Sequence, residues 1–523
     1  MSIRYGNKVG PLVSRKSSFF KKDRFDRLRI KQPSPTSSTS STWTRPADWL
    51  TMPTIISSEQ KIALLMPVFP QQSNFLAFTI SGAYTVDWGD GVTENVASGV
   101  KAQHEYSYTD PDLNATVTSD GYKMAVVVIT PQAGQNITSV DFNQKYALTG
   151  STFPDSSPIL EIVLSCPSLT GLTLGNATAS LAFCKNLVSF TGVNMGLLTN
   201  LTNSFANLTS LKNISLSGTT NVTNMTSAFS GCSSLISVSL SDTGSVTNMT
   251  SMFNNCRSIT SVPLFNTAAV TNMSSMFVSC SRLQTVPLFN TAAVTNMAFM
   301  FSGCSSLTSV PLFNTAAVTN MVGMFSSCTT LTTVPLFNTQ NVTFMGGSIP
   351  PDGMFFSCRS LTTVPLFNTA AVTTMGGMFF SCSSLTTVPL FNTAAVTTMA
   401  FMFNACASLT SVPLFNTAAV TSMSSMFSSC SSLTSVPLFN TAAVTSMSSM
   451  FNACTSLTSV PLFNTAAVTN MSGMFSSCAS LTSVPLFNTG AVQFMNSMFS
   501  SCSSLTSVPL FNTAAVTTMN SMF

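Results

Sequence analysis

The stretch "VPLFNTAAVTNMSSMF" (262–277) decides how this chain is read, because its first six letters, VPLFNT, occur eleven times, the last copy beginning at Val508. A catalytic centre is a singular arrangement of groups. A phrase repeated eleven times specifies a repeated surface, or a length. Working outward, a cysteine followed three residues later by an aliphatic residue marks the repeat. It stands at Cys166 and Cys184, then at Cys232, Cys256, Cys280, Cys304, Cys328, Cys358, Cys382, Cys406, Cys430, Cys454, Cys478 and Cys502. The period is 24 residues. It doubles between Cys184 and Cys232, where Leu208 fills the vacant register, and stretches to 30 between Cys328 and Cys358, where "SIPPDG" (348–353) is inserted. A period of 20–29 residues with leucine-rich spacing is the signature of a solenoid.

One repeat contains two patterns. Met273, Met276, Phe277 and Cys280 stand at i, i+3, i+4 and i+7, the apolar face of a short helix, and Thr271 stands where its N-cap would be. Leu283, Val286 and Leu288 follow with strand spacing, and Asn290-Thr291 turns the chain. The reading is therefore a strand, a turn and about two helical turns per rung, each burying its apolar face only by stacking on its neighbours. Pro287 recurs in every copy in mid-strand. Proline deletes a ladder donor and belongs at edges or bulges, so the strands should be very short, with Pro on the exposed face.

The chain has 523 residues, of which 45% are hydrophobic and only 7% charged, against about 25% charged in ordinary globular domains. Residues 1–31 hold ten of the 20 Lys and Arg, whereas residues 256–523 hold four charges, Arg257, Arg282, Asp352 and Arg359. The solenoid is too uncharged to bind a nucleic-acid backbone. No run of 18 apolar residues predicts a membrane span, and no 7–15-residue apolar stretch near the N-terminus predicts a secretory signal there.

Four segments follow: a basic arm and Pro/Ser/Thr linker over 1–42, a β-sandwich over 43–142, degenerate capping repeats over 143–231, and the regular solenoid over 232–523. The fold class expected is mainly β with short helices. In the arm, Arg15, Lys16, Lys21 and Lys22 alternate with Phe19, Phe20, Phe25 and Leu28. Charge suits capture and apolar groups suit grip, so the arm reads as an anchor to another virion or surface subunit; nucleic acid or acidic lipid are the other partners that its charge allows.

Three resemblances attach to particular residues. "YTVDWGDG" (84–91) with "HEY" (104–106) resembles the polycystic-kidney-disease-type (PKD) Ig-like domain, with Trp88 where that family usually has Phe; the resemblance implies a spacer or adhesion module. "NTAAVTNMSSMFSSCSSLTSV" is similar to the repeat of BspA-like leucine-rich repeat surface proteins, with Asn266 where the family has an acid. That similarity implies a right-handed solenoid and a role in adhesion or recognition. "WTRPADWLTMP" (43–53) resembles the front of virion or tail-fibre proteins of marine tailed phages.

Candidate chemistry is sparse. Fourteen cysteines invite disulfides, but residues stacked one rung apart have parallel Cβ vectors about 4.8 Å apart, whereas a disulfide needs converging Cβ atoms near 3.8 Å. The row from Cys232 to Cys502 is thus expected to be a ladder of free thiols. Zinc needs clustered ligands, which are absent. The single histidine, His104, cannot supply a triad to the solenoid and reads as structural. Asp87, Asp90 and "DPDLN" (110–114) suit calcium or, more simply, turns. The inserted Ile349, Pro350, Pro351 and Asp352 are the one irregular, charged feature of a monotone surface and the candidate contact loop. The sum is a non-enzymatic protein without cofactor, assembled in multiple copies: a virion appendage whose solenoid contacts a host-surface glycan or protein, or alternatively a cell-surface adhesin. An ice-binding solenoid is a weaker alternative, since no Thr-x-Thr pair lies on the expected strand.

Overall fold

The structure, a computed structural model, describes residues 43–70, 74–114, 116–144, 146, 158–176, 184–347 and 352–523. It contains twelve strands among these residues: β1 (Lys61–Val68), β2 (Asn74–Ser81), β3 (Tyr84–Asp87), β4 (Thr93–Val96), β5 (Lys101–Tyr106), β6 (Lys123–Pro131), β7 (Ser139–Asp141), β8 (Glu161–Ser165), β9 (Gly171–Thr173), β10 (Ser189–Asn194), β11 (Asn213–Leu216) and β12 (Ser237–Leu240).

The first seven build a sandwich. β1 pairs antiparallel with β6, β6 with β3 and β3 with β4, opposite a second sheet in which β2 lies between β5 and β7. Alternate residues of each strand point inward. Phe78 of β2 sits within 5.7–6.0 Å, ring to ring, of Tyr84, Trp88 and Phe142.

Sandwich and solenoid share one sheet. β8 pairs antiparallel with β1 on one side and parallel with β10 on the other, and β11 and β12 continue the parallel ladder. The strand order is β12-β11-β10-β8-β1-β6-β3-β4. A solenoid rung left without a neighbour exposes apolar side chains and open backbone groups; here β1 covers the edge of β8. The stretch 43–50 reinforces the junction. Trp49 is buried beside Leu65 of β1 and Leu160, and donates Nε1–H to Tyr122 Oη at 3.2 Å. Arg45 pairs with Glu161 of β8 at 2.7 Å.

From β10 onward each rung advances by 24 residues (Ser189, Asn213 and Ser237 are in register), except for the 30-residue step from Phe344 to Thr374 that holds the insertion. The next residue of this column is Ser261, and there the strand ladder stops. Pro263 takes the place held by Ser215 and Ser239 and brings no N–H. In the rungs that follow, the backbone instead closes a tight three-residue turn that starts at the proline and crosses Leu288, with Phe289 N–H donating to Pro287 C=O at 3.0 Å. The expected short strands with proline are thus absent from every VPLFNT copy, and in nine copies, from Pro287 to Pro485, the proline opens such a turn.

The expected short helices are also absent: no described residue is α-helical. Residues 273–280 form tandem β-turns instead. Met276, Val278 and Cys280 donate to the carbonyls three residues back, while Met273, Ser275, Phe277 and Ser279 donate to the next rung. A helix would have kept all these bonds to itself. Ser275 and Ser279 have φ of 58°, the positive value that a type II turn requires at its third residue. Eight residues rich in Ser are too few for a stable helix, whereas turns stepping by four preserve the same apolar spacing. Thr271 accordingly caps nothing; its hydroxyl donates to Thr247 C=O of the preceding rung at 3.3 Å. Beside it runs a column of single-residue parallel bridges, from Asn200 through Asn272 to Thr518. The described residues form a leucine-rich-repeat-type solenoid without α-helices, docked on a β-sandwich.

Candidate recognition surface

The interior of each rung is consumed by stacking. Val270, Met273, Met276, Phe277, Cys280 and Leu283 have no exposed surface, and their counterparts in the next eight rungs are equally buried. Phenylalanines form two columns. Phe277 stacks on Phe253 and Phe301 at 5.6 and 5.7 Å with nearly parallel rings, and Phe289 stacks on Phe313 at 6.5 Å.

Polar side chains bind rung to rung. Buried Thr267 donates to Asn290 C=O of the next rung at 2.8 Å. The Cys280 thiol donates to Phe253 C=O of the preceding rung at 3.1 Å, a bond repeated from Cys232 to Cys502. The structure places all twelve cysteines of this row as free thiols, buried except for half-buried Cys502. Burial without a cation pushes them toward the neutral form: Cys232, Cys280 and Cys478 rise to about 12, and Cys256 and Cys304 rise well above the usual thiol range. A thiol held neutral is a poor nucleophile and metal ligand.

The sandwich residues with catalytic-looking side chains are likewise committed. His104 Nε2 lies 2.6 Å from Asp90 Oδ2, its ring stacked on Trp88 at 4.7 Å, and Tyr106 Oη donates to Trp88 C=O. Asp87 accepts from Gly89 N–H and Asp110 from Asp112 N–H, each closing its own turn. No group of three or more His, Cys, Asp or Glu suited to a metal ion occurs among the described residues, nor does a helix long and apolar enough to cross a membrane.

What faces outward is therefore the candidate site. Thr271, Asn266 and Ala268 and their counterparts make rows of small, uncharged side chains. Asn266 Oδ1 accepts from Ala268 N–H at 3.2 Å, which fixes the turn. Next to them stands a feature that the sequence reading missed. Leu288, expected inside the rung as the last residue of a strand, is 59% exposed, and its column extends from Leu264 at 65% through Leu486 at 61% to Leu510 at 96%. The turn at Pro287 advances the side-chain alternation by one, so Phe289 enters the core and Leu288 leaves it. The proline was the signal available.

Of the contact loop, Ile349, Pro350 and Pro351 lie outside the described residues. Asp352 C=O accepts from Gly323 N–H at 2.9 Å, and Phe355 N–H donates to Met378 C=O at 3.0 Å, so the inter-rung pattern resumes at once. Gly353 is obligatory: a Cβ there would lie 1.9 Å from Gly377 O. Around this point the surface becomes aromatic. Phe344 is 45% exposed, and half-buried Phe356 and Phe380 stack at 5.1 Å. The arm residues Arg15, Lys16, Phe19, Phe20, Lys21, Lys22, Phe25 and Leu28 lie outside the described residues.

The family model described as "Mycoplasma protein of unknown function, DUF285" matches residues 199–309, 260–351, 351–460 and 434–523. No curated protein matches the chain. Among solved structures, a leucine-rich repeat protein from Eubacterium ventriosum is similar at 16% identity and a TM-score of 0.39, over 67% of this chain and 93% of that one. The functional domain of InlJ from Listeria monocytogenes, which includes a cysteine ladder, is similar at 13% identity and a TM-score of 0.17, over 69% of this chain and 70% of that one.

Proposed function

We propose that this chain, which belongs to the family described as Mycoplasma protein of unknown function, DUF285, is a non-enzymatic surface protein that serves adhesion or recognition. The observation that carries the reading is the distribution of chemistry. Thiols and buried threonine hydroxyls are spent on inter-rung bonds, while the outer rows repeat one uncharged pattern over eleven copies. Such a surface suits repeated, shallow contacts with a glycan or protein, and the aromatic interruption near Phe344 and Phe356 is the place where specificity concentrates.

Two settings fit. In the first, the chain is a virion appendage, projecting the solenoid while residues 1–42 dock on a neighbouring subunit. The stretch 43–53 favours it through its resemblance to phage virion proteins. In the second, the chain is displayed on a cell, the setting favoured by its similarity to BspA-like repeats. In both, the sandwich acts as the PKD-like spacer between anchor and solenoid. Immunogold labelling of intact particles and intact producing cells separates them. Label on particles supports the virion, and label on the cell envelope supports the cell-surface adhesin. Label that appears only after lysis overturns surface display. Deleting residues 1–42 should leave a folded protein that no longer incorporates; normal incorporation would move the anchor into the sandwich.

A further inference from the structure

We infer that two copies of this chain pair through the column of exposed leucines that runs from Leu264 through Leu366 and Leu390 to Leu486. This pairing is independent of what the solenoid recognises. Ten leucines in that column, one per rung, are 58–65% exposed. At roughly 100 Å² of accessible apolar surface each, they expose roughly 1,000 Å² in one unbroken stripe. Monomeric proteins rarely expose a contiguous apolar patch above about 300–600 Å², and a standard specific interface covers about 800 Å² per partner. The stripe exceeds the first figure and meets the second.

Its geometry selects the occupant. The leucines are equivalent by sequence and advance one rung at a time, next to a phenylalanine column that steps by 6.5 Å. A partner that fills the gaps between them must present knobs with that same step over many repeats. An ordinary globular surface has no such period. A second copy of this chain has it by identity, and an isologous contact then lets each leucine enter the gap between two leucines of the other copy. Electrostatics removes the usual competitors. Four charged residues in 256–523 provide no charged rim to select a foreign protein, no basic cluster to hold an anionic membrane, and no like-charge repulsion between copies.

The test uses the full chain. Sedimentation equilibrium at micromolar concentration should give twice the chain mass. A variant carrying Leu366→Ser, Leu390→Ser, Leu414→Ser and Leu438→Ser should give the single mass, with circular dichroism and melting temperature kept because these side chains touch solvent rather than core. The same four positions changed to Met should still pair. A single Leu390→Ser, which loses one side chain from each copy, should weaken pairing about tenfold or more. A wild-type protein that sediments as one chain overturns the inference, and so does a folded Ser variant that still pairs. Open-ended species larger than two chains would show a head-to-tail contact and overturn the isologous one. A single-chain protein that binds phosphatidylcholine vesicles, with binding lost in the Ser variant, would assign the stripe to lipid instead.

Discussion

Replacing Phe379 by Ala tests whether the stacked rungs behave as one cooperative body. The Phe379 ring is fully buried. It lies 5.6 Å from both Phe355 and Phe403, at interplanar angles of 3° and 5°, and 6.2 Å from Phe391. Truncating a buried Phe to Ala costs about 3–5 kcal/mol. Two close ring pairs, at about 0.5–1.5 kcal/mol each, place this site at about 4–5 kcal/mol. In a solenoid that energy is held at the interfaces between rungs, and the substitution weakens the contacts on both sides of one rung. The rungs beyond 379 are then coupled less tightly to the part capped by the sandwich. All three tryptophans, Trp43, Trp49 and Trp88, lie at that capped end. Guanidinium unfolding followed by far-ultraviolet circular dichroism and by tryptophan fluorescence should therefore coincide in the wild type. In Phe379→Ala, an earlier dichroism transition should appear with no fluorescence change. Phe379→Leu, which leaves a smaller void, should fall between the two. Coincident transitions shifted by less than about 1 kcal/mol would refute the reasoning, because the phenylalanine stack would then not be what couples the rungs.

Raised thiol values make stability depend on alkaline pH. An unfolded thiol ionises near its ordinary value of 9.0, while folded Cys232, Cys280 and Cys478 hold their protons up to about 12. The unfolded state thus binds fewer protons in that window, and stability, full below about pH 9, should fall as pH rises toward 12; melting temperatures measured from pH 7 to 10.5 check the sign. Native thiol labelling at pH 8 should be slow, and labelling in denaturant should reach all fourteen cysteines. Gly490 occupies a position held by Ala in neighbouring rungs and lacks a positive φ, so Gly490→Ala should stabilise by about 0.4–1 kcal/mol, whereas Gly353→Ala, whose Cβ would meet Gly377 O at 1.9 Å, should lose several kcal/mol in the same denaturation assay. Deleting residues 348–353 joins Gly347 to Met354 and restores the 24-residue register, so the melting temperature should change by no more than a few degrees.

The period, the buried Met, Phe and Cys columns and the free state of the thiols were legible because each depends on spacing alone. Local backbone form was less so. Apolar residues at i, i+3, i+4 and i+7 fit a helix and tandem four-residue turns equally, and periodicity cannot separate them. Composition could have: Gly303, Gly323, Gly377 and Gly473 stand among the serines of that segment with positive φ, at positions where a helix gains nothing from glycine. At the leucine stripe the failure was one of phase. Strand alternation was carried across Pro287, although proline ends the ladder there, and a one-residue advance exchanges inside for outside. The junction at Arg45 and Glu161 was invisible for another reason. It joins residues 116 positions apart, and no local pattern records such a partner.

The direction of the inter-rung bonds has a consequence for length. Each regular rung gives its buried threonine hydroxyl to the rung ahead and its thiol to the rung behind, so each of these joints is the same joint. Away from the insertion at 348–353 and the degenerate first rungs, nothing in a regular rung records its ordinal place. The molecule is a one-dimensional lattice with a unit cell of 24 residues, and its reach is quantised. Gaining or losing a whole unit leaves every remaining joint intact, while a change of 12 residues would set cysteines against turns and disrupt all of them locally. Reach can therefore vary between otherwise identical proteins without new packing being found, as bricks of one mould raise walls of any height.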